Sequence, residues 1–296
     1  MEKLEIPRTI YIETTNLCNA ACIMCPHQIM KRPKGTMKEE IFHWIINGLK
    51  KYDLAGTQLF LHKEGEPLCD SNIISRIKYA KQHTNAEIGM NTNAMLLNES
   101  LSVQLIHSGI DTIYFSVDGV SAATYNKIRI NCDYSVVERN IMYFLQQRKK
   151  LNPDLRVVMQ MILNDINKDE EKLFKEKWRD FDVEFYIKPM HSYLDGDYST
   201  FHASKSLEQK YICKDPFRMI TVYIDGQTGC CCWDYDNEYK LGNVMGSDLI
   251  KLYNGERIRV MREHQQTLTC SYISPCNRCS RIYGEDKICL PDGSWF

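Results

Sequence analysis

The segment Cys18-Asn-Ala-Ala-Cys22-Ile-Met-Cys25 carries three thiols at spacings of four and then three residues. On a loop that curls back, three thiolates so spaced can grip three irons of a cubane cluster and leave the fourth iron open. An open iron is of little use in plain electron transfer, where four cysteines close the cluster. It suits a small molecule that must chelate the metal. A zinc loop is the alternative, although zinc asks for a fourth ligand, which on paper His27 could supply. A second group of thiols gathers late in the chain: Cys213, the triplet Cys230-Cys231-Cys232, Cys270, Cys276, Cys279 and Cys289. Taken alone, its Cys276-Asn-Arg-Cys279 pair could be a redox couple, a zinc knuckle or half of a cluster site.

Thirteen cysteines in 296 residues are more than packing calls for, so they serve disulfides or metals. The N-terminus, Met-Glu-Lys-Leu-Glu-Ile-Pro-Arg, has no apolar core and no small-residue cleavage site, so no secretory signal is expected. Disulfide-dense domains are usually much shorter, and an odd count leaves one thiol over. Metal ligation in the cytoplasm is the expectation. No run approaches the ~18 apolar residues of a membrane span. With 37 basic against 38 acidic residues the net charge is -1, which points to no nucleic-acid or membrane partner.

Something must position these thiols. The first two-thirds of the chain alternates β-rich runs with helix-period segments. The runs are Thr9–Thr15, Thr57–His62, Glu87–Asn93, Thr112–Val117, Arg156–Leu163 and Val183–Pro189. Between them lie Lys38–Lys51, Asn72–Gln82, Glu99–His107, Tyr134–Lys150 and Asp169–Arg179, with apolar residues at helical spacing. Six such units predict an α/β fold with a parallel sheet or barrel, whose chemistry collects at the carboxyl ends of the strands. The pattern stops near Ser192. Residues 193–212 read as a linker between a core over 1–192 and a Cys-rich module over 213–296. That module opens on a predicted hairpin, Met219–Ile224 and Gln227–Trp233 about an Asp225-Gly226 turn.

The Cys18, Cys22, Cys25 motif after the first strand resembles the signature of the radical SAM superfamily. The resemblance implies a partial (β/α)6 barrel in which these cysteines hold a [4Fe–4S] cluster. The open iron binds S-adenosylmethionine, and a 5′-deoxyadenosyl radical abstracts hydrogen from substrate. Met24 stands where many relatives have an aromatic residue near the adenine. Glu64-Gly65-Glu66-Pro67 is similar to the family's GGEP loop, which receives the methionine ammonium; Glu64 replaces the first glycine. A glycine lets backbone approach and a carboxylate complements a cation. Asn93 at the end of strand three, Ser116 and Asp118 where strand four ends, and Arg129 beyond resemble the positions that meet the cofactor's ribose and carboxylate.

The late cysteines resemble the SPASM/twitch extension of the same superfamily, including a Leu241-Gly242-Asn243-Val244 segment like its GN(V/I) motif. The resemblance implies an auxiliary [4Fe–4S] cluster on Cys213, Cys231, Cys276 and Cys279, two clusters in all. A second auxiliary cluster would need Glu285 as a ligand and a thiol the chain lacks, although Cys289 is a rival ligand. Strand alternation would turn Cys230 and Cys232 away from Cys231, to pack or line a pocket.

The spacing 213–231–276–279 is similar to that of the 2-deoxy-scyllo-inosamine dehydrogenases. It implies oxidation of a secondary alcohol in a sugar or aminocyclitol, with the auxiliary cluster as electron acceptor. Alternatives are an epimerase with a free thiol such as Cys232 as hydrogen donor, and a peptide-modifying enzyme. No residue type singles out the base; His191, following the sixth strand, is a candidate by position, with a surface histidine the alternative, and Trp233, Asp234 and Tyr235 could reach substrate. A flavodoxin or ferredoxin is the implied reductant.

Overall fold

The computed structural model describes residues 4–190 and 211–283. His191, Glu285, Cys289 and most of the expected linker lie outside the described residues. Strands β1 (Thr9–Ile12), β2 (Gln58–Phe60), β3 (Glu87–Thr92), β4 (Thr112–Ser116), β5 (Arg156–Leu163) and β6 (Glu184–Pro189) pair in parallel, each beside its sequence neighbour. Helices α1 (Glu39–Leu49), α2 (Ile73–His83), α3 (Glu99–Ile106), α4 (Ala122–Ile128), α5 (Tyr134–Leu151) and α6 (Glu171–Trp178) fall between them. All six expected strands are present, β5 over the expected residues.

Strands β1 to β4 alternate apolar core residues with polar or aromatic ones, whereas β5 is buried along most of its length. Ile10, Ile12, Leu59, Ile88, Ile113 and Phe115 are wholly buried on one face. There Phe115 meets Phe144 of α5 edge to face at 5.2 Å. Burying each such side chain is worth about 1.5–3 kcal/mol, so this face fixes the strand register. The residues between them are polar or aromatic and share the other face: Tyr11 beside Phe60, Asn91 beside Tyr114, and Ser116, Gln160 and Tyr186 on one rung. Side-chain caps set several helix starts. Asn98 accepts from the Leu101 amide at 2.9 Å and Asp133 from the Ser135 amide at 2.8 Å. The short α4, absent from the expected elements, is capped by Ser121.

The chain after residue 211 continues the same sheet. β7 (Met219–Val222) runs parallel to β1, with Ile10 level with Ile220. β8 (Gln227–Gly229) and β9 (Gly242–Asn243) follow antiparallel, giving the order β6-β5-β4-β3-β2-β1-β7-β8-β9. The Asp225-Gly226 turn forms as expected, with Gly226 at φ +80°. The expected second strand does not reach Trp233, because β8 ends at Gly229. Three helices unforeseen in the sequence follow, α7 (Leu249–Tyr253), α8 (Glu256–Gln266) and the short α9 (Ser280–Tyr283). No helix among the described residues is long and apolar enough to cross a membrane.

Candidate functional site

The loop after β1 is tied down on every side. Its Ala21 and Ile23 amides donate to the Ile130 and Ile128 carbonyls at 2.9 and 3.0 Å. Asn16 accepts from the Gly35 amide at 2.6 Å and donates to the Pro33 carbonyl at 3.0 Å. Cys22 is buried in this loop, with Cys18 and Cys25 half-buried. Burial pushes the Cys18 and Cys25 thiols up to about 12, and each feels its fellow thiols and a nearby carboxylate. A cationic metal is what would hold them as thiolates. His27 does not complete a zinc site. Its Nε2 is 2.8 Å from the Asn16 carbonyl, and Nδ1 faces the Gln28 amide and the Lys34 ammonium at 3.4 and 3.5 Å. Among the described residues no three His, Cys, Asp or Glu side chains converge on a single ion. The donor set, three thiols and no fourth ligand, fits a cluster with an open iron.

The loops at neighbouring strand ends close around these thiols. A Cβ on Gly65 would lie 2.5 Å from the Thr15 carbonyl and 2.7 Å from the Leu17 carbonyl. The absent side chain thus lets the backbone of this loop pack directly against the cysteine loop. The Glu66 amide donates to Leu17 at 2.8 Å across the same contact. The buried Glu66 carboxylate accepts from the Leu68 amide, the Thr92 hydroxyl and the Asn93 amide at 3.1, 2.7 and 2.8 Å. Burial raises its pKa against those three bonds. Asn93 Nδ2 reaches Asn19 at 2.9 Å, joining the β3 end to the cysteine loop. Asp118 accepts from the Ile162 amide at 2.6 Å and from Arg129 at 2.6 Å, and Arg129 also stands 3.6 Å from the Cys22 sulfur. Ser116 is buried on the polar face, whereas Met24 is in the apolar core. Glu64, beside Cys25, pairs with the buried Lys63.

The late cysteines form a second gathering. Cys213, Cys231, Cys276 and Cys279 lie within electrostatic reach of one another, directly or through a shared neighbour, and burial raises Cys279 to about 12. Gln265 of α8 links two of them. Its Oε1 accepts from the Cys213 amide at 2.9 Å and its Nε2 lies 3.9 Å from the Cys276 sulfur. The triplet departs from the alternation expected of it, since it follows the strand. Cys230 is buried in the apolar core near Cys276 and Cys213. The Cys232 thiol instead donates to Asp215 at 3.2 Å. Asp215 also holds Arg218 at 2.9 Å and Arg281 at 2.7 Å. Burial works to raise this carboxyl, but the two guanidinium groups outweigh it and hold it below the usual range. Asp234 accepts from the Glu238 and Tyr239 amides at 2.8 and 3.0 Å, a turn-forming role. Trp233 lies under the Arg281 guanidinium at 4.3 Å, and Tyr235 packs with Met30.

Two contacts that motif reading overlooked join the gatherings. Lys63 donates to the Cys232 carbonyl at 2.9 Å. Arg32 binds Glu13 through two bonds of 2.8 and 2.7 Å and reaches the Tyr235 carbonyl at 2.6 Å, while Asp236 accepts from the Lys31 amide at 2.7 Å. Strand alternation could have found Tyr11, Asn91, Gln160 and Lys188 on the polar face. No local signal announces Asp215 or Glu13.

The Radical SAM superfamily model matches residues 12–176, and that of an iron-sulfur cluster-binding domain, SPASM, matches residues 213–280. Among curated proteins, the tungsten-containing aldehyde ferredoxin oxidoreductase cofactor-modifying protein of Pyrococcus furiosus is 28% identical over 114 residues, 38% of this chain and 32% of its own. A probable GTP 3′,8-cyclase of Methanothermobacter marburgensis is 30% identical over 125 residues, 40% and 38%. The chain thus spans about a third of the length of these relatives. Among solved structures, BtrN in complex with AdoMet and 2-DOIA superposes with TM-score 0.65 at 16% identity, covering 94% of each chain. Native anSMEcpe with bound AdoMet gives 0.69 at 14% identity, covering 92% of this chain and 87% of its own. At these identities the structures show a shared fold. With its three-cysteine loop at the end of β1 and its second thiol group in the matched C-terminal segment, the chain belongs to the radical SAM superfamily, with S-adenosylmethionine, a [4Fe–4S] cluster and an auxiliary iron–sulfur site as its cofactors.

Proposed function

We propose that this protein oxidises a secondary alcohol of a small polyhydroxylated molecule, with a single auxiliary [4Fe–4S] cluster on Cys213, Cys231, Cys276 and Cys279 as electron acceptor. The observation that carries the reading is the Lys63 bridge. Lys63 follows β2, beside Glu64 and the first thiol group, and its ammonium holds the carbonyl of Cys232, next to the auxiliary ligand Cys231. A substrate on the polar face therefore lies between both gatherings. The bound cofactors supply a hydrogen-abstracting radical and an electron acceptor. Losing the carbinol hydrogen atom, the hydroxyl proton and one electron turns the alcohol carbon into a carbonyl. Cys18, Cys22 and Cys25 would hold the first cluster. Glu66, Asn93, Ser116, Asp118 and Arg129 would surround S-adenosylmethionine, with Glu66 and Asp118 also bracing the loops that carry it. A flavodoxin or ferredoxin is the proposed reductant.

One observation favours a second reading, epimerisation. The Cys232 thiol is polar in its surroundings, bonded to Asp215 and within electrostatic reach of Tyr11, Tyr186 and Lys188 on the polar face. Such a setting suits a thiol that returns a hydrogen atom. The test is turnover of polyols and sugar acids by the anaerobically reconstituted, reduced enzyme in deuterated water. Oxidation yields a carbonyl with no solvent label at that carbon, and Cys232→Ser retains it. An inverted carbinol carrying solvent deuterium, lost in Cys232→Ser, would replace the first reading by the second.

A further inference from the structure

Lys188 lies near the end of β6, two residues past Tyr186 and level with Ile162 of β5, so it shares the polar face. Its ammonium stands 5.5 Å from the centre of the Tyr186 ring. It is within electrostatic reach of Asp118 and Arg129 on the cofactor side, and of Cys232 and Arg281 on the side of the C-terminal module. The neighbouring cations have carboxylate partners: Lys63 has Glu64, Arg129 has Asp118, and Arg218 and Arg281 share Asp215. Lys188 has none among the described residues.

A half-buried ammonium without a paired carboxylate gives up solvation for little in return. Burial is the main cause that lowers the Lys188 pKa; Cys232 and Asp118 pull it back up in part, while Arg281 and Arg129 push it down. Nearby His62 does not share the load. Burial, then Lys63 and Lys188, bring its pKa to about 3, so it stays neutral. A bound anion would relieve the cation; an ammonium group of a substrate would add repulsion. A lysine is a compact point charge suited to one oxygen of a phosphate or carboxylate.

We propose that Lys188 anchors an acidic group of the substrate, so that the polyol acted on is a sugar acid or sugar phosphate and not a cationic aminocyclitol. This rests on the polar face being the substrate site, as in the function proposed above. It does not depend on which reaction follows.

The experiment is calorimetric titration of the holoenzyme, with both clusters and S-adenosylmethionine bound, at constant ionic strength. The probes are inorganic phosphate, gluconate and neutral myo-inositol. Wild type should bind phosphate or gluconate more tightly than myo-inositol. Lys188→Met should weaken both anions at least tenfold, and Lys188→Arg should restore most of the loss. Full iron content and an unchanged melting temperature show that each variant is folded. Affinity for S-adenosylmethionine, titrated separately, should be the same in all three proteins. If it falls with the anion affinity, Lys188 serves the cofactor's carboxylate and the proposal is overturned. Equal anion binding by wild type and Lys188→Met, or a preference for myo-inositol, overturns it too. Binding is read without turnover, so failure of the oxidation reading leaves this result standing.

Discussion

Arg32→Met should destabilise the protein strongly. Glu13 is wholly buried, and Arg32 supplies its two shortest bonds; once the guanidinium is gone its remaining hydrogen bond among the described residues is from the Ile224 amide, at 3.2 Å, with the Lys63 ammonium within electrostatic reach. Removing one partner of a buried ion pair costs about 3–5 kcal/mol, because the other charge stays behind unpaired. For a chain of this size a kilocalorie moves the melting temperature by roughly 2 °C, so thermal unfolding of the cluster-free protein should drop by about 6–10 °C. The double variant Glu13→Met/Arg32→Met removes both charges and should recover most of that loss. A residue of about 1 kcal/mol should persist, since the Tyr235 carbonyl loses its donor in both proteins. The clamp also bears on the metal. Arg32 lies seven residues after Cys25 and ties that stretch to Tyr235 and Asp236, so iron uptake at the first site should fall in the single variant and return in the double. A melting shift below about 2 °C in Arg32→Met, or a double variant no better than the single, would refute the reasoning.

The reconstituted protein should hold about eight irons, counted as two four-iron clusters. Replacing Cys18, Cys22 and Cys25 together by Ala should leave about half of that iron and abolish cleavage of S-adenosylmethionine; tightly bound zinc with no brown chromophore would be the contrary result. Gly65→Ala should cost first-site iron, because its Cβ meets the backbone of the cysteine loop at 2.5 Å, whereas Gly35→Ala, whose nearest contact is a side chain at 3.7 Å, should not. Full iron in Gly65→Ala would show that the loop yields. Cys231→Ala should lose the auxiliary iron and Cys230→Ala retain it, read by iron analysis; the reverse would exchange their roles. Cys276→Ala and Cys279→Ala should stop product formation while cleavage of S-adenosylmethionine continues, and unimpaired product would remove the auxiliary cluster from the reaction.

Local pattern and tertiary fold divide this protein between them along clear lines. The sequence by itself determined the six parallel strands, the three-cysteine loop and the relation of both to one superfamily. Those signals are short in range: a run of β-forming apolar residues along Arg156–Leu163, or thiols within eight residues, needs no knowledge of what lies across the molecule. It missed α4, which is short and whose start rests on a single Ser121 cap, and it carried the hairpin four residues too far, into the triplet. Only the tertiary structure showed that β7 joins β1, so that the C-terminal module extends the barrel's own sheet. Only it separated Cys230, in apolar surroundings, from Cys232 on Asp215, and showed that Gly65 packs against the cysteine loop. The pairs Glu13–Ile224 and Lys63–Cys232 are 211 and 169 residues apart. A charge buried by a partner so distant leaves no periodicity in the chain, because its place is set by the closing of the sheet and not by its neighbours in sequence.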